Sequence, residues 1–239
     1  MGQSPNILLS LLPPKEYSVL SKHLKSFSGN SGEVLHEPGE NIGHVYFPHS
    51  GMISLLAVME NGASIEIATV GNESAMGAVT GAGAKKAITR AVVQIPLVSS
   101  RITREQFLAC VDGNAVMLRL VDRANEALLG QVQQTAACNA LHQVEARLAR
   151  WLLQSHDRTI GDNVPLTQEF LSQMLGVRRT SVTEFAQSLQ NDGLIKYHRG
   201  NIEILDRARL EGKACECYGV VAAQTKRLLA EPLTCPVAY

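Results

Sequence analysis

The chain has 239 residues, 45% of them hydrophobic, with 22 basic against 22 acidic side chains. That length allows two modest domains with a real core, and a formal charge of zero excludes a general attraction to nucleic acid, so any DNA affinity must come from a local patch. No apolar run is long enough to span a bilayer, the N-terminus MGQSPNILLSLLPPKEY lacks the basic segment of a signal peptide, and five scattered cysteines (Cys110, Cys138, Cys215, Cys217, Cys235) argue for a reducing cytoplasm over a disulfide framework.

Residues 8–25 read as helix, broken by Pro13 and Pro14. From about residue 33 to 104 the texture changes. Short segments rich in Val and Ile are punctuated by Gly, Asn and Pro, the pattern of a small antiparallel β-sandwich or barrel. Asn61-Gly62, between two apolar runs, is the best hairpin signal. The Gly- and Ala-rich stretch 77–86 reads as a mobile loop. From Asn114 the chain turns helical and holds no proline as far as Arg158. Val116, Leu120, Ala124, Ala127, Gln131 and Gln134 recur at three–four spacing and predict a small-residue seam for a partner helix. Gly130 is tolerable there at a cost of roughly 1 kcal/mol against alanine. A turn follows at 159–163.

Between Gln168 and Leu189 the sequence is QEFLSQMLGVRRTSVTEFAQSL. Gly176 separates two helix-like segments, Ser172 lies four residues upstream, and Leu171, Leu175, Val177, Val182 and Phe185 fill apolar positions. That is helix-turn-helix spacing: the small residue permits close packing, the glycine the tight turn, and the apolar set a shared core. Thr167 reads as the N-cap of the first helix, with Gln168 and Glu169 in its first turn. Its amides suit a phosphate. The second helix opens on Arg178, Arg179, Thr180 and Ser181. Arginines there are not favoured by the helix dipole, so phosphate and guanine contacts supply the reason for them. Thr183 joins the reading surface. So does Glu184, which suits cytosine N4 or an orienting contact to an arginine. Beyond Asp192-Gly193, LIKYHRGNIEILD predicts a two-stranded wing carrying Lys196, His198 and Arg199. From Leu166 to Leu210 six basic residues stand against five acidic ones, so the DNA reading rests on placement. The segment from Arg209 to Leu229 reads as one more helix.

Other constellations carry less. Cys215-Ala-Cys217 has too short a gap for a common metal pair and no second pair nearby in sequence, so both read as packing residues. His36, His44 and His49 lack metal-site spacing. His142 and Glu145 read as hinge or interhelical bonds. No nucleophile motif or phosphate-cradling loop is present, so no enzyme, metal or cofactor is expected.

The whole chain resembles the Crp–Fnr superfamily of bacterial transcription regulators. The resemblance is carried by HVYFPHSGMISLL, IATVGNESAMG, TRAVVQIP, QTAACN, HQVEARLARWLL, PLTQEFLSQMLGVRRTSVTE and ACECY. It implies an α+β chain in three parts: an N-terminal antiparallel β-roll of cyclic-nucleotide-binding type (1–113), a dimerisation helix (114–140) and a C-terminal winged helix-turn-helix domain (141–239). It implies a homodimer that binds near-palindromic double-stranded DNA in the cytoplasm, with RNA polymerase as a further partner if the protein activates. Aligned on Gly176, Arg179 takes the place of the family's guanine-reading arginine, and Arg178 falls to phosphate.

The departures matter too. Cyclic-AMP-binding members carry a glutamate after the glycine of their cassette and a downstream Arg-Ser or Arg-Thr-Ala. Here Gly77 is followed by Ala78, and Arg90-Ala91 lacks the Ser or Thr. The long helix carries Gln133, Gln134 and Thr135 in place of the adenine-capping Thr-Ser pair, and Lys85 and Lys86 read as solvated. Cyclic AMP is therefore not the expected effector, which stays unknown. The alternative is a constitutive regulator with a degenerate, ligand-free β-roll. The N-terminal cysteines of the oxygen-sensing members are also missing, since the first cysteine is Cys110.

Overall fold

The computed structural model describes residues 4–78, 86–198, 200–230 and 233. Most of the expected loop 77–86, and Arg199 at the tip of the wing, lie outside the described residues. Two short helices, α1 (Ile7–Ser10) and α2 (Pro14–Ser21), open the chain. Asn6 caps α1 by accepting from the Leu9 amide, and its own amide donates to the Pro48 and Ser74 carbonyls, both at 2.9 Å. Pro14 starts α2, because the first helical position needs no amide donor. Lys25, expected in a helix, instead begins a strand.

Strands β1 (Lys25–Gly29), β2 (Val34–His36), β3 (His44–Val58), β4 (Ser64–Val70) and β5 (Arg90–Thr103) make one antiparallel sheet. Its order is β1-β5-β3-β4, with β2 also on β5. Register shifts around Ser50 and Met52 bend the long β3–β5 ribbon into a roll. Gly51 makes the bend possible: its φ is 85°, and a Cβ there would overlap the Pro96 carbonyl. The Asn61-Gly62 hairpin forms, with Val58 paired to Ser64 across it.

Helix α3 (Arg104–Val111), capped by Thr103, leads to the long α4 (Ala115–Leu141), whose first amides Asn114 caps. The helical stretch is not continuous. His142 and Gln143 are extended, and α5 (Val144–His156) restarts beyond them. The expected partner-helix seam is corrected. Val116, Leu120 and Ala124 are buried in the chain's own core beside Leu8, Phe47 and Phe107. Gln131 is buried on Thr69 of β4, accepting from its amide and donating to its hydroxyl. The small residues admit neighbours from the same chain. Gly130 leaves room for Gln224, which a Cβ would overlap. Along its length α4 turns Leu118 (46% exposed) and Leu129 (57%) outward, and its last residue, Leu141, is 79% exposed.

The C-terminal unit adds β6 (Asn163–Pro165), α6 (Gln168–Leu175), α7 (Arg179–Asn191), β7 (Ile195–His198), β8 (Asn201–Ile204), α8 (Arg207–Lys213) and α9 (Cys217–Leu229). The wing is a three-stranded sheet ordered β6-β8-β7, one strand more than the sequence suggested. The expected single C-terminal helix is two, because the chain runs extended at Ala214.

The unit is not a free appendage. Its core of Leu148, Trp151, Leu152, Leu171, Val182 and Leu189 is continuous with Met52, Leu56, Val92 and Ile95 of the roll. Polar bonds seal the joint. The Trp151 indole donates to Glu66 at 2.8 Å, and Arg158 pairs with Glu73 at 2.6 Å. Burial opposes the charge on Glu73, but the Arg158 guanidinium outweighs it and holds the carboxyl below its usual range.

Candidate nucleic-acid interface

The turn between α6 and α7 is built locally. Thr167 caps α6 by accepting from the Phe170 amide at 3.3 Å. Gly176 ends α6 in the left-handed region (φ 65°, ψ 35°), and the Val177 amide bonds back to the Ser172 carbonyl. Leu171, Leu175 and Val182 are buried, and Val177 and Phe185 partly so, as the spacing predicts. Two braces come from α5. Arg147 donates to the Leu175 carbonyl at 2.7 Å, and Glu145 accepts from Ser188 of α7 at 3.1 Å. Arg147 is buried on a helix of ordinary amphipathic pattern, where only its charge could have marked it, while the half-buried Glu145 makes an interhelical bond of the kind read for it from the sequence.

Arg178 is the extended N-cap residue of α7 and Arg179 its first residue. Both are exposed. The nearest acid to Arg179 is Glu169, at a loose 3.9 Å with both side chains mostly in solvent. Such a pair contributes little. Among the described residues no packing contact explains two arginines at this helix end. Thr180 and Glu184 are exposed, while Ser181 and Gln168 are half-buried. The Thr183 hydroxyl already donates to the Arg179 carbonyl at 3.0 Å, which leaves it only as an acceptor. Lys196 and His198 alternate to one exposed face of β7. The wing is tied to α7 where the Tyr197 amide donates to Gln190. Arg207 is spent inside the fold on Asp157, His156 and Tyr218.

The roll encloses a cavity of ≈ 220 Å³, lined among others by Leu55, Ile67, Val70, Met76, Leu128 and Val132. His36 is the one ionisable side chain among its described lining. Burial lowers its pKa against the opposing pull of Glu40 and Glu37, which favours the neutral ring. Arg90 is bound to Glu37 at 2.8 Å and not to the cavity. Ala78 is fully buried. Lys86 is exposed, and Lys85 lies outside the described residues. On α4, Gln133 is exposed, Gln134 donates to Cys217, and Thr135 is buried.

Cys215 and Cys217 are buried and packed, as read from the sequence, and they also meet Cys138 and His142, with the four ligand atoms within 4.8 Å of one another. Partners so distant in sequence leave no spacing motif to find. His142 stands at the hinge, as the sequence reading has it, and faces Glu216 and Cys217.

Two family models match: a cyclic nucleotide-binding domain over residues 28–114 and a Crp-like helix-turn-helix domain over residues 146–212. Their order along the chain matches the roll and the winged unit. The chain belongs to the Crp–Fnr family of transcription regulators. Solved Crp–Fnr structures share its fold. FixK2 of Bradyrhizobium japonicum is 15% identical with a TM-score of 0.68, over 80% of this chain and 98% of its own. A Crp-family regulator of Thermus thermophilus is 21% identical with a TM-score of 0.66, over 79% and 96%. The c-di-GMP-responsive regulator CLP of Xanthomonas campestris is 15% identical with a TM-score of 0.64, over 80% and 99%. Identities this low carry the fold alone. No curated protein matches by sequence. Among the described residues no helix is long and apolar enough to cross a membrane.

Proposed function

We propose that this Crp–Fnr regulator binds a near-palindromic double-stranded DNA site as a homodimer, with α7 in the major groove. The exposed Arg178–Arg179 pair, for which the described residues offer only the loose Glu169 contact, carries the reading. Thr167 and Gln168 at the start of α6 lie toward phosphate. Thr180, Ser181 and Glu184 flank the arginines, and Lys196 and His198 extend the contact along the wing. Arg199 belongs to the same proposal, outside the described residues. The partner subunit packs on the outward face of α4, where Leu118, Leu129 and Ala136 lie within about 20° of one line at 100° per residue.

The same reading gives the roll an effector other than cyclic AMP. A cyclic phosphodiester needs a fixed cation and a ribose acceptor. The described cavity lining offers a mostly neutral histidine and apolar carbon, and Arg90 is committed to Glu37. The lining suits an uncharged ligand of modest size. Selection of bound fragments from the source genome, followed by titration of one such site at several salt concentrations, tests the DNA reading. Affinity that is the same for all sequences would overturn it.

A further inference from the structure

Three thiols and one imidazole converge beneath the hinge between α4 and α5. Cys138 is on the last turn of α4, and His142 follows that helix as its C-cap. Cys215 lies in the break between α8 and α9, and Cys217 opens α9. All three cysteines are free and buried. Cys138 Sγ stands 3.5 Å from Cys215 Sγ, and Cys217 Sγ stands 3.4 Å from His142 Nδ1. The sulfur separation is far longer than a disulfide bond of about 2.05 Å. A tetrahedral ion held at about 2.3 Å from sulfur and about 2.05 Å from nitrogen sets S–S edges of about 3.8 Å and S–N edges of about 3.55 Å. Both of these spacings fall near those edges, and all four ligand atoms lie within 4.8 Å of one another. An iron–sulfur cluster spreads its ligands over several irons and needs a wider cage.

The surroundings are those of a ligand set. His142 turns Nδ1 to the thiols and Nε2 to Glu216, 3.2 Å away, so a carboxylate orients the ring from behind, as at metal-binding imidazoles. Gln134 donates to Cys217 Sγ at 3.0 Å. Two buried arginines of α5 act electrostatically on the cluster, Arg150 on Cys138 and Arg147 on both Cys138 and Cys215. Among the described residues neither has a carboxylate within 4.0 Å, although Arg150 also acts at longer range on Glu66 of β4. Buried cations want a compensating anion, and three thiolates around a divalent ion leave one net negative charge there. Sulfur packing alone needs neither the imidazole, its carboxylate nor the guanidiniums.

We propose that Cys138, His142, Cys215 and Cys217 form a tetrahedral site for one zinc-like, thiophilic divalent cation. The ion clamps the α8–α9 break and the start of α9 to the end of α4. It thereby sets the direction in which α5, and with it the reading head, leaves α4. Binding releases the thiol protons to solvent and involves no change of oxidation state. The consequence for DNA rests on the function proposed above; the site itself does not.

The test uses the full chain, reduced and stripped with chelator, titrated anaerobically with Co²⁺. The expected result is one equivalent bound, with sulfur-to-cobalt charge-transfer absorption and the visible bands of tetrahedral cobalt, displaced by Zn²⁺. Cys217→Ser and Cys215→Ser should abolish the thiolate spectrum or weaken binding at least about tenfold, and Glu216→Gln should weaken it by about 10–100-fold. Cys110→Ser, in a cysteine outside the cluster, should change nothing. A folded wild-type chain with no cobalt–thiolate absorption overturns the site, and the wild-type titration stands even if a variant fails to fold. A spectrum that survives Cys215→Ser unchanged overturns the ligand assignment. DNA binding is then compared between stripped and Zn²⁺-loaded wild type on a selected site, with at least tenfold tighter binding expected when loaded. Equal affinity overturns the clamp, whereas failure of both forms to bind any selected DNA overturns the DNA reading and leaves the cobalt result to judge the site.

Discussion

Glu66→Gln should stabilise this protein at alkaline pH and leave it nearly unchanged in mild acid. Glu66 lies on β4, 6% exposed, where the roll meets α5. Its Oε2 accepts from Ser54 at 2.5 Å and its Oε1 from the Trp151 indole at 2.8 Å. Arg150 and Arg158 add favourable charge. Burial nevertheless prevails and lifts the carboxyl from 4.5 to about 7. At 1.36 kcal/mol per pKa unit, ionising it in the native state costs about 3 kcal/mol. The sign follows from proton counting. Between its ordinary value and about pH 7 the native state holds a proton that the unfolded chain has released, so stability falls as pH rises through that window and levels off above it. Glutamine keeps both bonds, with its carbonyl on Trp151 and its amide on a rotated Ser54 hydroxyl, and has no charge to bury. Urea unfolding of both proteins from about pH 5 to about pH 8 should therefore give curves that diverge by up to about 3 kcal/mol at the alkaline end. Parallel pH profiles, or a variant less stable than wild type at the alkaline end, would refute the assignment of the burial cost to this carboxyl.

Other outcomes follow from the same geometry. Arg179→Ala should cost roughly 1–3 kcal/mol at the preferred DNA site and relax one symmetric position in each half-site, read by binding to base-substituted duplexes. Arg178→Ala should weaken all sequences about equally and flatten the salt slope; the opposite pattern would reverse the two roles. Leu129→Arg should yield a folded monomer in sedimentation, whereas Ala124→Arg should unfold the chain, since Ala124 is buried in its own core. A folded Ala124→Arg monomer would put Ala124 in a partner-helix seam after all. Cyclic AMP should give no micromolar binding in calorimetry, and a micromolar dissociation constant would show that the phosphate finds a cation other than Arg90.

Much of the molecule was written in local pattern. The reading head is a matter of residues within about twenty of one another: a capping threonine, a glycine that must adopt positive φ, and apolar side chains that meet across one turn. Those constraints act over a few bonds, so spacing alone located α6, the turn and α7, and Asn61-Gly62 located its hairpin. The family resemblance supplied the order of the parts in the same way. What spacing could not settle was which surface covers which. The stripe on α4 repeats correctly, yet periodicity says only that a face is buried. The roll, α1 and α9 fill that face, and the side left outward carries Leu118 and Leu129. Glu66 and Trp151 are ordinary residues until the fold sets one against the other across the joint. Cys138 and His142 stand more than seventy residues from Cys215 and Cys217. Only the break after α8, which turns the chain back over the end of α4, puts three sulfurs and a nitrogen within reach of one ion. Chain-local rules determined the elements and the reading head, and long-range packing decided the joint, the outward face and the thiol cluster, because each of those is a contact between segments that no short stretch of sequence encodes.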